Sequence, residues 1–289
     1  MRVEKKSKHL FAFDLDGTLV HDLDSERRGI PEDLLEVLYN LSERHHLIIA
    51  TGRRYRSALP VIEVLPEMAY AVCHNGLVIL DSQGRICHRR GLDWHQALEV
   101  SLKIQENGQH PVFVFDGEGE CPDFAFSENS LRVSTGVQSI RRFSGQRSLV
   151  IDREDRLPTN LHQNLVEVCA IGEFSAMSKL QNSIQETLSE DLKAVLVRNV
   201  GIQKMSVLEI FENECSKLSG VHWVRDQLGL STVIAAGDDE NDIELLGGAD
   251  VSLVMDHAAE HVLKMGKIKI SGPSGLRHYL QKEWLDETS

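Results

Sequence analysis

Several familiar signatures are missing from this chain of 289 residues. Its five cysteines (Cys73, Cys87, Cys121, Cys169, Cys215) are odd in number and scattered, with no Cys-x-x-Cys. That pattern excludes a disulfide framework and points to reduced thiols in a cytoplasmic compartment. No apolar run is long enough to span a bilayer. The basic start (Arg2, Lys5, Lys6, Lys8) meets only four apolar residues before Asp14, so no signal peptide is expected. Positive charge is short, 31 Lys and Arg against 44 Asp and Glu for a net of −13, which disfavours a dedicated nucleic-acid binder and suits a site that holds a cation. There is no internal repeat and no low-complexity tract. A P-loop, Gly-x-Gly-x-x-Gly, Gly-x-Ser-x-Gly and His-Glu-x-x-His are all absent, which removes the common nucleotide, serine-hydrolase and zinc-protease readings.

What is present centres on Leu10 to Leu19. An apolar run of buried-strand type, Leu10 to Phe13, breaks into Asp14-Leu15-Asp16-Gly17-Thr18. On an extended chain, residues two apart point the same way. Two carboxylates that close repel, so they need a shared proton or a hard cation such as Mg²⁺. Gly17 permits a tight turn and Thr18 can hydrogen-bond back to it. An Asx-rich turn capping a helix is the plainer alternative. A calcium loop of EF-hand type fails, because Gly17 is its fourth position and not its sixth.

The rest of the chain reads as strands alternating with helices. A polar segment, His21 to Gly29, has the character of a loop. A helix from Pro31 carries Leu34, Leu35, Val37, Leu38 and Leu41 on one face. Strand Leu47–Ala50 ends in Thr51-Gly52-Arg53, a helix over about 55–65 follows, and strand Ala69–Cys73 runs into the turn dipeptide Asn75-Gly76. From about Gly84 short strands (Val112–Phe115, Ser148–Ile151, Val195–Val197, Val207–Phe211) mix with amphipathic helices (Asp93–Glu106, Ser175–Leu188), as in a separate inserted α+β unit. Alternation resumes at Lys217 with strand Val233–Ala236, then Gly237-Asp238-Asp239-Glu240-Asn241-Asp242, and further strands at 251–254 and 267–270. Strand, helix, strand predicts a parallel sheet, whose ligand crevice lies beyond the carboxyl ends of its strands. Asp14, Thr51 and Asp238 all stand at such ends. The pair His45-His46 reads as a surface turn.

Four pieces in this order, Asp14-x-Asp16-Gly17-Thr18, Thr51-Gly52-Arg53, Ser216-Lys217 and Gly237-Asp238-Asp239-x-Asn241-Asp242, resemble the haloacid dehalogenase-like superfamily of phosphohydrolases. The insertion is similar to the large type-two cap of the Cof-like sugar phosphatases. The resemblance implies an α/β fold: a Rossmann-like parallel-sheet core (1–83 and 211–289) with an inserted α+β cap of type C2 (84–210) that sets substrate specificity. It also implies roles. Asp14 is the nucleophile and a Mg²⁺ ligand. Asp16 is the general acid and base and reaches Mg²⁺ through its backbone carbonyl. Asp238 completes the protein ligands, and Asp242 orients them from behind. Thr51, with Gly52, and Lys217 hold phosphoryl oxygens, Lys217 also restrains Asp14, and Asn241 bonds near the phosphate. Arg53 fits equally a structural ion pair. Alone, Thr51 reads as a helix cap and Lys217 as a solvated charge; their order beside Asp14 gives them chemistry. One departure stands out: Asp256-His257-Ala258 replaces the usual Gly-Asn-Ala after the fifth strand.

The expectation is a cytoplasmic Mg²⁺-dependent phosphatase, monomeric or homodimeric, acting on a small phosphorylated metabolite, most plausibly a sugar phosphate, with no nucleic-acid or membrane partner. Arg89, Arg90, Arg198 and Lys204 are the basic cap residues available to read the leaving group. A phosphatase for a glycosyl-glycerate or disaccharide phosphate, a phosphomutase, and a non-catalytic binding module are the rival readings.

Overall fold

The structure, a computed structural model, describes residues 8–21, 29–197 and 205–286. Most of the polar segment expected between His21 and Gly29 lies outside the described residues, as do Arg198 and Lys204. In chain order the strands are β1 (Leu10–Phe13), β2 (His46–Ala50), β3 (Tyr70–Cys73), β4 (Val78–Asp81), β5 (Ile86–Arg89), β6 (Pro111–Phe115), β7 (Phe124–Ser127), β8 (Ser148–Ile151), β9 (Leu165–Gly172), β10 (Leu192–Val197), β11 (Ser206–Glu212), β12 (Val233–Gly237), β13 (Val251–Met255) and β14 (Ile268–Ile270). They fall into two units, Met1–His88 with Cys215–Ser289, and Arg89–Glu214. The boundary drawn at 210 from sequence cuts through β11, which stays hydrogen-bonded in the sheet of the second unit as far as Glu212.

The first unit is built on an eight-stranded sheet of order β14-β13-β12-β1-β2-β3-β4-β5. From β14 to β3 every pairing is parallel. The next is not: β4 returns antiparallel to β3 through a tight turn at His74–Gly76, a hairpin that the turn dipeptide announced but the strand-helix-strand rhythm did not. β1 lies in the middle, which is why all four of its residues are apolar and buried. The pleat sends Leu10 and Ala12 to one face, where they pack with Val221 and Val224 of the Lys217–Gln227 helix. Phe11 belongs to the other face and meets Trp284 edge-on at 5.0 Å.

On that second face the sequence reading of His45 is corrected. Instead of turning at the surface, His45 is buried against His9, Phe11 and Trp284. Its Nδ1 accepts the His9 backbone N–H at 3.3 Å. Burial, chiefly, holds its pKa down to about 4, so it is a neutral core aromatic.

The second unit carries a six-stranded sheet of order β10-β11-β9-β6-β7-β8, antiparallel except between β7 and β8. Phe113, Phe115, Val168, Ala170, Leu208 and Ile210 form its core with the Trp94–Glu106 and Phe174–Gln185 helices. The central strand β9 escaped the sequence reading, because the buried Glu167 interrupts its apolar run. Two short helices, Glu128–Val133 and Thr135–Ser144, escaped it too.

Candidate active site

Register in the first sheet brings the motifs together. Phe13 is the partner of both Ala236 on β12 and Ile49 on β2, so the three strands end side by side. Pairing runs one residue further, with Asp14 N–H donating to the Ala236 carbonyl at 3.0 Å. Beyond Asp14 the chain leaves the strand. The backbone N–H groups of Thr18, Leu19 and Val20 all fold back onto the Leu15 carbonyl. A loop, and not a continuing pleat, therefore sets where Asp16 points.

Asp14 is 4 % exposed and Lys217 is 1 % exposed. The Lys217 ammonium donates to Asp14 Oδ1 at 2.7 Å, to Asp242 Oδ1 at 2.8 Å and to Asn241 Oδ1 at 3.1 Å. Those three bonds use all three of its protons. Lys217 thus has no proton left to donate to a further group and holds Asp14 in place. It can do so because it opens its helix: Ser216 is the N-cap and makes a reciprocal capping box with Ser219. Burial opposes the ammonium charge, but Asp14 and Asp242 outweigh that effect and raise its pKa.

Asp242 is fully buried, and both its oxygens are occupied. Oδ2 accepts the backbone N–H groups of Asp238 and Asp239 at 3.0 and 3.1 Å, while Oδ1 takes Lys217. It braces the loop after β12. Asp238 presents its carboxylate beside Asp14, with Oδ1 accepting from the Thr18 hydroxyl at 3.0 Å and Oδ2 3.2 Å from His257 Nε2.

Oxygens of Asp14, Asp238 and Asp242 lie within 4.8 Å of one another. The electrostatics show the crowding. Burial pushes the Asp14 carboxyl well above its usual range; Lys217 pulls it down, and Asp242 and Asp238 push it up again. Asp238 is pushed up to about 6 by burial and then by Asp242, against the pull of its two hydrogen bonds. Three carboxylates crowd around a single ammonium, which reaches only Asp14 and Asp242 among them, so the cluster has the charge and spacing that could hold a divalent cation. Oxygen-only donors suit a hard cation such as Mg²⁺.

The second and third motifs interlock. Thr51 is fully buried, and its Oγ1 accepts the Arg53 backbone N–H at 3.1 Å, which leaves the hydroxyl proton to donate. Gly52 packs against the side-chain amides of Asn75 and Asn241, and these bond to each other at 3.0 Å. Arg53 grips both oxygens of Asp16, through Nε at 2.6 Å and through a second nitrogen. Its ion-pair partner is therefore the second carboxylate of the opening motif.

Sequence reasoning missed Asn75 as part of this site and noted His257 only within the Asp256-His257-Ala258 departure, without a role. Asn75 was legible only as a turn residue. Its position just past the end of β3, on the same sheet edge as Thr51, was the available signal. Among the basic residues of the second unit, Arg89 is tied to Asp116 and Glu118, and Arg90 to Glu212 and Glu214.

The model of the haloacid dehalogenase-like hydrolase family matches residues 11–271, which spans all four motifs. The chain belongs to that family. A curated relative from Serratia proteamaculans, named HMP-PP phosphatase, is 29% identical over 283 residues, covering 96% of this chain and 95% of the relative. This hydrolase is an enzyme of the phosphatase class. Its fold matches that of a solved phosphatase of the superfamily from Bacteroides thetaiotaomicron with a TM-score of 0.75 at 19% identity, over 98% of this chain and 97% of the other. A solved sugar phosphatase of subclass IIB gives 0.67 at 14% identity, over 96% and 99%. No helix among the described residues is long and apolar enough to cross a membrane.

Proposed function

We propose that this hydrolase is a Mg²⁺-dependent phosphatase of a small phosphorylated metabolite, working through an aspartyl phosphate on Asp14. The observation that carries the reading is the buried Lys217, which fixes Asp14 through one oxygen and leaves Oδ2 with no protein hydrogen bond among the described residues. That oxygen attacks phosphorus while the bond to the leaving oxygen breaks.

Asp14, Asp238 and the Asp16 carbonyl would hold the cation. Mg²⁺ there supplies positive charge against the charge that develops on the phosphoryl oxygens. Asp16 gives its proton to the departing oxygen, then takes one from the water that opens the aspartyl phosphate. The Thr51 hydroxyl and the unused N–H of Asn241 donate to phosphoryl oxygens, and Lys217 lends its charge from behind Asp14.

The inserted unit sets which leaving group is accepted. Both compounds named for the relatives belong in the substrate panel, HMP-PP because it comes from a relative aligned over nearly the whole chain, and sugar phosphates because of the subclass IIB fold match. The five cysteines are free thiols, which fits a reducing, cytoplasmic setting.

The test joins that panel to one substitution. The parent enzyme should release phosphate from at least one member with Mg²⁺ and stop with a chelator, and it should yield a phosphorylated Asp14 when quenched with acid. Asp14→Asn should fold and turn over nothing measurable. Near-normal turnover by that variant would remove the mechanism.

A further inference from the structure

The Asp256-His257-Ala258 turn follows β13 and lies directly on the site. His257 Nε2 is 3.2 Å from Asp238 Oδ2, and since an ionised carboxylate can only accept, the ring nitrogen carries the proton. The Thr18 hydroxyl holds the other oxygen at 3.0 Å. One hydrogen bond fixes one oxygen, and the last torsion of an aspartate is broad. Two bonds, one on each oxygen, fix the plane of the carboxylate.

The turn that carries the imidazole is itself anchored. Asp256 N–H donates to the Ile270 carbonyl at 2.8 Å, and Ala258 N–H to the Met255 carbonyl at 3.1 Å. The ring stands edge-on to His21 at 5.6 Å between centroids, and His21 Nε2 meets the Thr18 carbonyl at 2.8 Å. Thr18, Asp238, His257 and His21 therefore close a circuit around one carboxylate. Gly17 backs it so tightly, at φ +86°, that a Cβ there would fall 2.2 Å from Asp238 Oδ2.

We propose that His257 is a positioning residue for Asp238, holding its carboxylate plane ready for the divalent cation. The proposal rests on the reading of Asp238 as a ligand of that cation. It concerns the ring as a hydrogen-bond donor and not as a ligand: the carboxylate cluster contains Asp14, Asp238 and Asp242 without His257. Hydrogen-bonded partners of metal ligands typically change affinity by about 10–100-fold when removed.

Binding of Mg²⁺ to the full-length protein without substrate, measured by calorimetry, tests this. His257→Ala should weaken binding by about ten-fold or more. His257→Gln, whose amide nitrogen reaches as far as Nε2, should restore it to near the parent value, whereas His257→Asn, too short to reach Oδ2, should not. Asp238→Asn should abolish binding, and His261→Ala, which removes a similar imidazole from Glu240 on the same loop, should change nothing. Parent-like binding by His257→Ala, with Asp238→Asn dead, overturns the role of His257 alone. Parent-like binding by Asp238→Asn overturns the metal site. Equal weakening in the Ala and Gln variants also overturns the proposal. So does a directly bound nitrogen in the pulsed electron-spin spectrum of the Mn²⁺-loaded parent, since that makes the ring a ligand. Melting temperatures without cation should be the same in all His257 variants, because the ring is 45% exposed; a drop common to Ala and Gln would make the residue structural and count against it.

Discussion

At Asp16 an ion pair and a proton transfer compete for one carboxylate. Both of its oxygens accept from Arg53, so a side chain that hands a proton to the leaving oxygen must first give up one of those bonds. Asp16→Asn keeps the shape and one acceptor but has no proton to exchange. A sugar alkoxide needs that proton and p-nitrophenolate does not. General acid–base help is worth about a hundred- to ten-thousand-fold. Formation of the phosphoenzyme should therefore slow far more for a sugar phosphate than for p-nitrophenyl phosphate in stopped-flow measurements, while Mg²⁺ affinity is kept. Equal slowing of both would assign Asp16 some other task.

Asp238 supports a second prediction at the same scale. Its carboxyl binds a proton more tightly in the folded chain, with a pKa of about 6, than at its ordinary value of 3.8. Without a cation it contributes stability below the ordinary value, and that contribution is lost as the pH rises through about 6. A bound cation neutralises the carboxylate and removes the penalty. The melting temperature of chelator-treated protein should consequently fall away from that of Mg²⁺-loaded protein between about pH 4 and 6, the interval between those two pKa values. A gap that stays constant with pH would argue that the cation binds elsewhere.

The contact between the His74–Gly76 turn and the Lys217–Gln227 helix sets the lysine at the level of elements. Gly76 has φ +96°, and a Cβ added there would lie 2.1 Å from the Ser216 carbonyl, the cap of that helix. Gly76→Ala costs about 1–3 kcal/mol for the backbone conformation alone. Relief of the clash has to push the helix start away, and Lys217 goes with it. A lower denaturation midpoint together with a disproportionate fall in kcat is expected; an unchanged kcat would separate helix placement from catalysis. This contact also marks the limit of what the sequence disclosed. Strand ends Phe13, Ala50 and Ala236 were legible because each apolar run stops at a polar residue or, after Ala236, at a glycine followed by one, and parallel pairing then aligned Asp14, Thr51 and Asp238. Asn75, by contrast, was legible only as a turn residue: the β3–β4 hairpin is local, but the bond that ties Asn75 to Asn241, 166 residues further on, is one that no local pattern encodes. His45 was misread for the same reason: the Trp284 that covers it comes from the far end of the chain. Within the second unit, β9 is buried on both faces, so it shows neither alternation nor a clean apolar run once Glu167 is counted.

For the molecule as a whole, the division of labour between the two units follows from where the site residues lie. Asp14, Asp16, Thr51, Asn75, Lys217, Asp238, Asn241 and Asp242 all belong to the unit made of the two chain ends. In the proposed function their chemistry addresses a cation and a phosphoryl group, and the phosphoryl group is common to every substrate. Nothing in that set distinguishes one leaving group from another. Under the proposed function specificity belongs to Arg89–Glu214, so exchanging that segment at its own boundaries for the equivalent unit of a related hydrolase should move the ranking of substrates across a panel to that of the donor. Cutting at 210 instead would sever β11, whose pairing with β10 and β9 continues past that point or up to it, so the chimera should be joined after Glu214. Mg²⁺ dependence and loss of turnover on Asp14→Asn should be the same in parent and chimera, since neither draws on the exchanged residues. A chimera that folds, hydrolyses p-nitrophenyl phosphate and still ranks metabolites as the parent does would place specificity in the unit of the two chain ends.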